Sequence, residues 1–259
     1  MKPIMEEPIA QGPLSEMLLQ ARKSGRAALM ADIKCRSARD QQLIDPDQVE
    51  RHVHALLQGG IDGLSVVTEP RHFGGSIELA RRVRAVTELP IIRKEFYSRL
   101  EQIDEAAAVG FDAVQLTISV VRNLDLIGRM AKRARELGME VIICIQDRAE
   151  LAQALDLGAS IIGINNRDIL SLETDDGTVS RTASLLPHIG QDKLVISESS
   201  MLSAADISRA VRAGTDGVLI GTAFAKAQDP AERVREFRQA LKKSSAVPSA
   251  DRDDPSEGT

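Results

Sequence analysis

Tryptophan is absent from this 259-residue chain, tyrosine occurs once, and aromatic residues make up only 2% of it. The core therefore cannot rest on large rings and has to be assembled from Ala, Val, Ile and Leu, which parallel sheets covered on both faces prefer. Cysteine is scarce too: Cys35 and Cys144 alone exclude a disulfide framework and a cysteine-based zinc site. Among the four histidines the one close pair is His52-x-His54, whose side chains diverge at i, i+2 on a helix, so no metal is expected. There is no basic excess either. The net charge is -5 and the pI is near 5.5, which argues against nucleic acid or an anionic membrane as partner. No apolar run reaches membrane-spanning length and Met1 to Pro13 has no apolar signal region, so a cytoplasmic location is expected.

What the chain does have is a regular alternation of short apolar runs and amphipathic stretches. A helix is expected over Leu14–Ser24, ended by Gly25. Strands are expected at Ala28–Lys34, Leu64–Thr68, Pro90–Phe96, Asp112–Ile118, Glu140–Gln146, Ser160–Asn165, Leu194–Glu198 and Gly217–Ile220. Helices fit the stretches between them, including Pro46–Gly59, Ser76–Thr87, Leu100–Val109, Arg122–Leu137 and Arg148–Leu157. Later ones fit around Val179–Leu186, Ala204–Ala213 and Pro230–Lys243. Connections such as A-V-G-F-D-A-V and R-A-G-T-D-G-V end a helix at Gly before the next strand. About eight strand–helix units close a parallel barrel, so the expected class is α/β, a single (β/α)8 TIM barrel. It spans residues 28–243, after a short N-terminal segment (1–27) with its helix and before a disordered tail (244–259) rich in Ser, Pro, Asp and Gly.

Barrels place chemistry at the C-terminal ends of their strands. Four strand ends are polar here: Asp32 and Lys34; Arg93, Lys94 and Glu95; Asn165 and Arg167; Ser197, Glu198 and Ser199. Each alone could be an exposed loop charge, or in I-I-G-I-N-N-R-D an Asn-rich turn. Strand parity, however, aims Asp32, Lys34, Lys94, Asn165 and Glu198 inward together. Inward lysines beside inward carboxylates pair and perturb one another's pKa, which suits acid–base chemistry. Gly221 and Thr222 open a short helical segment after the last strand, and with Ser199 they make a candidate phosphate site, although Gly-Thr could be only a helix cap.

With these residues in hand, the chain resembles the indole-3-glycerol phosphate synthase family from about Ala28 to Pro230. The likeness rests on S-V-V-T-E-P-R-H-F-G-G-S (Ser65–Ser76), L-P-I-I-R-K-E-F (Leu89–Phe96), L-G-M-E-V (Leu137–Val141), I-I-G-I-N-N-R-D (Ile161–Asp168) and S-E-S (Ser197–Ser199). The resemblance implies a carboxy-lyase of tryptophan biosynthesis, or a specialised paralogue. Its small-molecule substrate would be an arylamino deoxyribulose phosphate, cyclised with loss of carbon dioxide and water, with neither metal nor organic cofactor. It implies that Lys94 is the general acid for ring closure and that Lys34 handles the substrate carboxylate and the dehydration. It also implies that Asn165 and Glu198 position substrate with Arg167 in support, that Ser199, Gly221 and Thr222 cradle phosphate, and that Phe96 is a wall against the aromatic ring.

The chain departs from the family in four places. Asp32 stands where the family has Glu, pulling a carboxylate back by about 1.5 Å; a shift of that size can cost on the order of a hundredfold in rate. Cys144, in I-I-C-I-Q, stands where the family has a catalytic Glu, and reads either as a buried filler or as a group recruited for altered chemistry. The loop after the first strand keeps only Ser37 of the family's phosphate-side motif. The N-terminal extension is shortened to about 27 residues. These departures leave two alternatives open: a divergent barrel acting on a related sugar phosphate, and a non-catalytic ligand-binding homologue. Cys35 has the opposite parity to Cys144, so no bridge between them is expected.

Overall fold

Three G-x-D sequences, Gly60-Ile-Asp62, Gly110-Phe-Asp112 and Gly214-Thr-Asp216, show how the chain turns from helix to strand. Gly110 and Gly214 take φ of 87° and 112°, the left-handed region open to Gly, and so end their helices. The Asp that follows accepts the first free backbone N–H of the preceding strand: Leu29 for Asp62 at 2.8 Å, Ile91 for Asp112 at 2.8 Å and Val195 for Asp216 at 3.0 Å. An arginine then pairs with each carboxylate: Arg26, Arg84 and Arg22 respectively. One side of the molecule is thereby stitched with satisfied polar groups.

The computed structural model describes residues 12–37, 41–167 and 178–242. The expected tail from Ser244, Ala38 to Asp40 of the first loop, and Asp168 to Gly177 fall outside those residues. The strands are β1 (Ala28–Ile33), β2 (Gly63–Val67), β3 (Ile91–Lys94), β4 (Ala113–Thr117), β5 (Glu140–Ile145), β6 (Ile161–Asn165), β7 (Leu194–Glu198) and β8 (Gly217–Ile220). They pair in parallel in sequence order and β8 returns to β1, closing an eight-stranded barrel. The (β/α)8 barrel expected from the alternation is the fold.

The helices are α1 (Pro13–Lys23), α2 (Val49–Gly59), α3 (Pro70–Phe73), α4 (Ile77–Arg84), α5 (Glu101–Val109), α6 (Ile118–Val121) and α7 (Leu124–Glu136). They continue with α8 (Arg148–Asp156), α9 (Ser180–Leu185), α10 (Ala204–Ala213), α11 (Thr222–Ala225) and α12 (Pro230–Arg238). Two of them correct the sequence reading. The segment after β2, to which the sequence assigns no element, winds one helical turn, because Glu69 accepts the N–H groups of Arg71, His72 and Phe73. The helix expected to start at Arg122 instead follows a separate turn, α6, which Arg122 ends at φ 55°. β1 and β3 also stop earlier than expected, at Ile33 and Lys94.

Side chains alternate between two cores. Outward positions such as Leu29, Val66, Ile91 and Ile143 pack under the helices, whereas inward Ala28, Met30, Ile92, Ile142 and Ile196 fill the barrel with Leu14 and Leu18 of α1. α1 thus plugs the N-terminal end. Its first turn is held by Glu140, which points into the barrel and accepts Leu14 N at 2.8 Å and Ser15 N at 3.1 Å. Cys35 is buried in the outer core while Cys144 faces the interior, and both are free thiols.

Candidate active site

The register brings the polar inward residues to one level near the C-terminal ends of the strands. Asp32 lies beside Ser65, Lys94 beside Gln115, Thr117 beside Cys144, Cys144 beside Gly163, and Asn165 beside Glu198. A straight strand exposes every second residue on one face, so these positions converge without any loop having to place them.

Lys94 is the centre of the group. Its Nζ donates to Glu198 Oε2 at 3.1 Å and lies 3.8 Å from Asp32 Oδ1. Burial disfavours the ammonium, but the carboxylates of Asp32 and Glu198 outweigh that and push its pKa up, so it stays charged throughout the physiological range. Asp32 is steadied by Ser65, whose hydroxyl donates to Oδ1 at 2.7 Å. Glu198 Oε2 also accepts from Gln115 Nε2 at 3.0 Å. Glu198 Oε1 is directed at Gly163, where an added Cβ would lie only 2.6 Å from it; the missing side chain gives that oxygen its room.

Two cavities meet at Asp32, Lys34, Lys94 and Ser199. The larger, about 440 Å³, is also lined by Ser37, Arg167, Gly221 and Thr222, together with Lys226 and Arg233. Arg167 Nε donates to Ser200 Oγ at 3.3 Å, and its backbone N–H donates to Asn165 Oδ1 at 3.1 Å. Ser199 and Ser200 both take left-handed φ, 66° and 61°, a conformation costing about 1–2 kcal/mol per non-Gly residue. The smaller cavity, about 60 Å³, is lined by Val67, Phe73, Phe96, Gln115, Thr117 and Asn165, among others. Phe73 and Phe96 meet edge to face at 6.0 Å between centroids, and Lys34 Nζ stands 5.8 Å from the Phe73 centroid.

Eleven of the residues expected from the sequence line one or both cavities or, as Glu198 does, hold a residue that lines both. Cys144 does neither. It lies fully buried in the barrel, where burial, and next the charge of Glu198, push its thiol well above the usual range although Lys94 opposes this. A protonated thiol results, neither nucleophile nor base at neutral pH.

The sequence reading missed Ser65, Gln115, Thr117, Phe73, Lys226 and Arg233. Parity could have found the first three, because they occupy inward positions on β2 and β4. Arg93, on the outward side, holds the β3–α5 connection instead: its Nε donates to Thr68 Oγ1 at 3.0 Å, and its guanidinium lies 3.7 Å from Glu95.

A parallel eight-stranded barrel with a lysine clasped by two carboxylates at its C-terminal end, between a cation-lined cavity and an aromatic one, is the frame of a barrel enzyme. The family profile for indole-3-glycerol phosphate synthase matches residues 5–237, and the chain belongs to that family. Indole-3-glycerol phosphate synthase of Thermococcus kodakarensis is 35% identical over 216 residues, covering 83% of this chain and 94% of its own. The enzyme of that name from Nocardioides sp. is 36% identical over 218 residues, covering 83% of this chain and 81% of its own. Among solved structures, thiamine phosphate pyrophosphorylase from Pyrococcus furiosus superposes with a TM-score of 0.61 at 16% identity, over 83% of this chain and 96% of its own, a likeness of fold alone.

Proposed function

We propose that this protein is a carboxy-lyase that cyclises an arylamino deoxyribulose phosphate to an indole, with loss of carbon dioxide and water. The reading is carried by the position of Lys94, charged and held between Asp32 and Glu198 where the cationic and aromatic cavities meet. Ser37, Arg167, Ser199, Gly221 and Thr222 take the phosphate, assisted by Lys226 and Arg233. Phe96 and Phe73 wall the ring, and Asn165 orients the substrate together with Glu198, which acts by holding Lys94 in place.

In the first stage the ring carbon bearing the carboxylate attacks the ketose carbonyl. A carbon–carbon bond forms, the carbonyl electron pair moves to oxygen, and Lys94 supplies the proton. The bond to the carboxylate then breaks, its pair restores the aromatic ring, and carbon dioxide leaves. In the second stage the new hydroxyl departs as water with a proton relayed by Lys34, and the adjacent carbon gives up a proton to water, its C–H pair forming the double bond of the new ring. Fixed charges aimed at the developing alkoxide supply the stabilisation. Asp32, one methylene shorter than the family's Glu, still reaches within 3.8 Å of Lys94. The raised thiol of Cys144, lining neither cavity, favours the reading of a filler over that of a recruited nucleophile. Composition and charge support a cytoplasmic location.

Incubating the purified protein with the carboxyphenylamino deoxyribulose phosphate and following indole absorbance tests this directly. Turnover that disappears in Lys94→Met is expected. Product at background level with the unmodified protein would reject the activity.

A further inference from the structure

Among the described residues two buried side-chain oxygens have no hydrogen-bond donor, Gln115 Oε1 and Glu198 Oε1. They belong to one hydrogen-bonded pair, since Gln115 Nε2 donates to Glu198 Oε2. That bond fixes the amide: turning it over would set its oxygen against a carboxylate oxygen. The carbonyl of Gln115 is therefore held as an acceptor with nothing to accept, in a residue only 2% exposed that lines the smaller, aromatic-walled cavity. Buried acceptors are nearly always satisfied in folded proteins, and one that is not marks a place where a bound group completes the network.

The surroundings define that group. Val67, Phe73 and Phe96 give the cavity walls suited to a flat ring; its polar lining includes the ammonium groups of Lys34 and Lys94 on the side shared with the larger cavity, while Gln115 presents an acceptor, Oε1, backed by the carboxylate of Glu198. The ring carboxylate of the substrate belongs with those ammonium groups; at Gln115 a second anion would set acceptor against acceptor, and an apolar group would leave the oxygen unpaired. A neutral donor answers both. Resting on the function proposed above, we infer that Gln115 is a specificity-determining residue, and that the substrate's aryl ring carries a hydroxyl or amino group on the edge that meets β4.

The test compares kcat/KM of the intact protein for the unsubstituted carboxyphenylamino substrate, for congeners hydroxylated at each free ring position in turn, and for the methylated counterpart of the best of these. One hydroxylated congener should exceed the unsubstituted substrate by on the order of 10–100-fold, with the methyl compound showing no such gain. In Gln115→Leu and Gln115→Met the ratio should collapse towards unity. Taking the ratio within each variant cancels any general loss from weakened support of Glu198. Equal turnover of all congeners by the unmodified protein, or a preference that survives both variants, overturns the inference. The wild-type ratio decides even if neither variant folds. Turnover of none of the substrates rejects the parent activity itself, which separates the two failures.

Discussion

Two glutamates point into the same barrel from strands two places apart, and they are used in opposite ways. Glu140, at the start of β5, has its carboxylate taken up by the backbone N–H groups of Leu14 and Ser15, so it fastens the plug helix α1 to the N-terminal end. Burial pushes its carboxyl up from the ordinary range, and those N–H donors pull it back. Glu198, at the end of β7, shares one oxygen between Lys94 and Gln115 and leaves the other unpaired. The same side chain, inward in the same kind of strand, closes the structure at one end and keeps acceptor capacity in hand at the other. Satisfied groups mark the end that holds the barrel together; the unpaired acceptors, Glu198 Oε1 and Gln115 Oε1, lie at the end where the two cavities open.

The largest effect should come from the residue that gives the C-terminal end its character. Lys94→Met is expected to lower kcat/KM for indole formation by on the order of 10³-fold or more, combining loss of a proton donor with loss of a fixed charge. Next comes a matched pair. Glu198→Gln should reduce kcat/KM by on the order of a hundredfold through misplacement of Lys94. Glu140→Ala should instead lower unfolding stability in urea by about 1–3 kcal/mol through loss of the α1 cap, with kcat/KM of the folded fraction unchanged. If Glu140→Ala lowers kcat/KM as much as Glu198→Gln does, the separation of the two ends is broken.

The helical layer offers a reference outside both ends. Burial lowers the pKa of His52 on α2 to about 4. The unfolded chain takes up a proton near pH 6.5 and the folded one near 4, so the stabilising contribution is present above pH 6.5 and lost as pH falls through that window. Between pH 6.5 and 4 the wild type should lose on the order of 2 kcal/mol more stability than His52→Gln, measured by urea unfolding across pH. The smallest effect is expected at Cys144. Cys144→Ala should keep most of the activity, and a thiol reagent should leave both cysteines unmodified until the protein is unfolded, since neither is more than 2% exposed. Rapid labelling of the native protein would return Cys144 to the list of reactive groups.

Strand parity carries most of what the sequence says about this site. Asp32, Lys94, Asn165 and Glu198 converge because a period of two is enforced by the pleat wherever a strand is regular, and the barrel closes only with regular strands. The same rule reaches Gln115 and Thr117, yet A-V-Q-L-T reads as an apolar run with polar interruptions until its neighbours in the register are known. The turns α3 and α6 are less legible, since four residues are too few to show a helical period and the cap that winds α3, Glu69, looks in sequence like any loop charge. Lys226 and Arg233 reach the larger cavity only through the packing of α11 and α12.

Gly163 also constrains the order in which this site can change. A methyl group there would lie 2.6 Å from Glu198 Oε1, so Gly163→Ala should displace that carboxylate in the present protein and cost less once Glu198 has been shortened to Asp. The two substitutions are then non-additive, and the order in which a lineage takes them matters. The bare α-carbon on β6 leaves the long carboxylate on β7 its place, and any side chain added at that position has to move it.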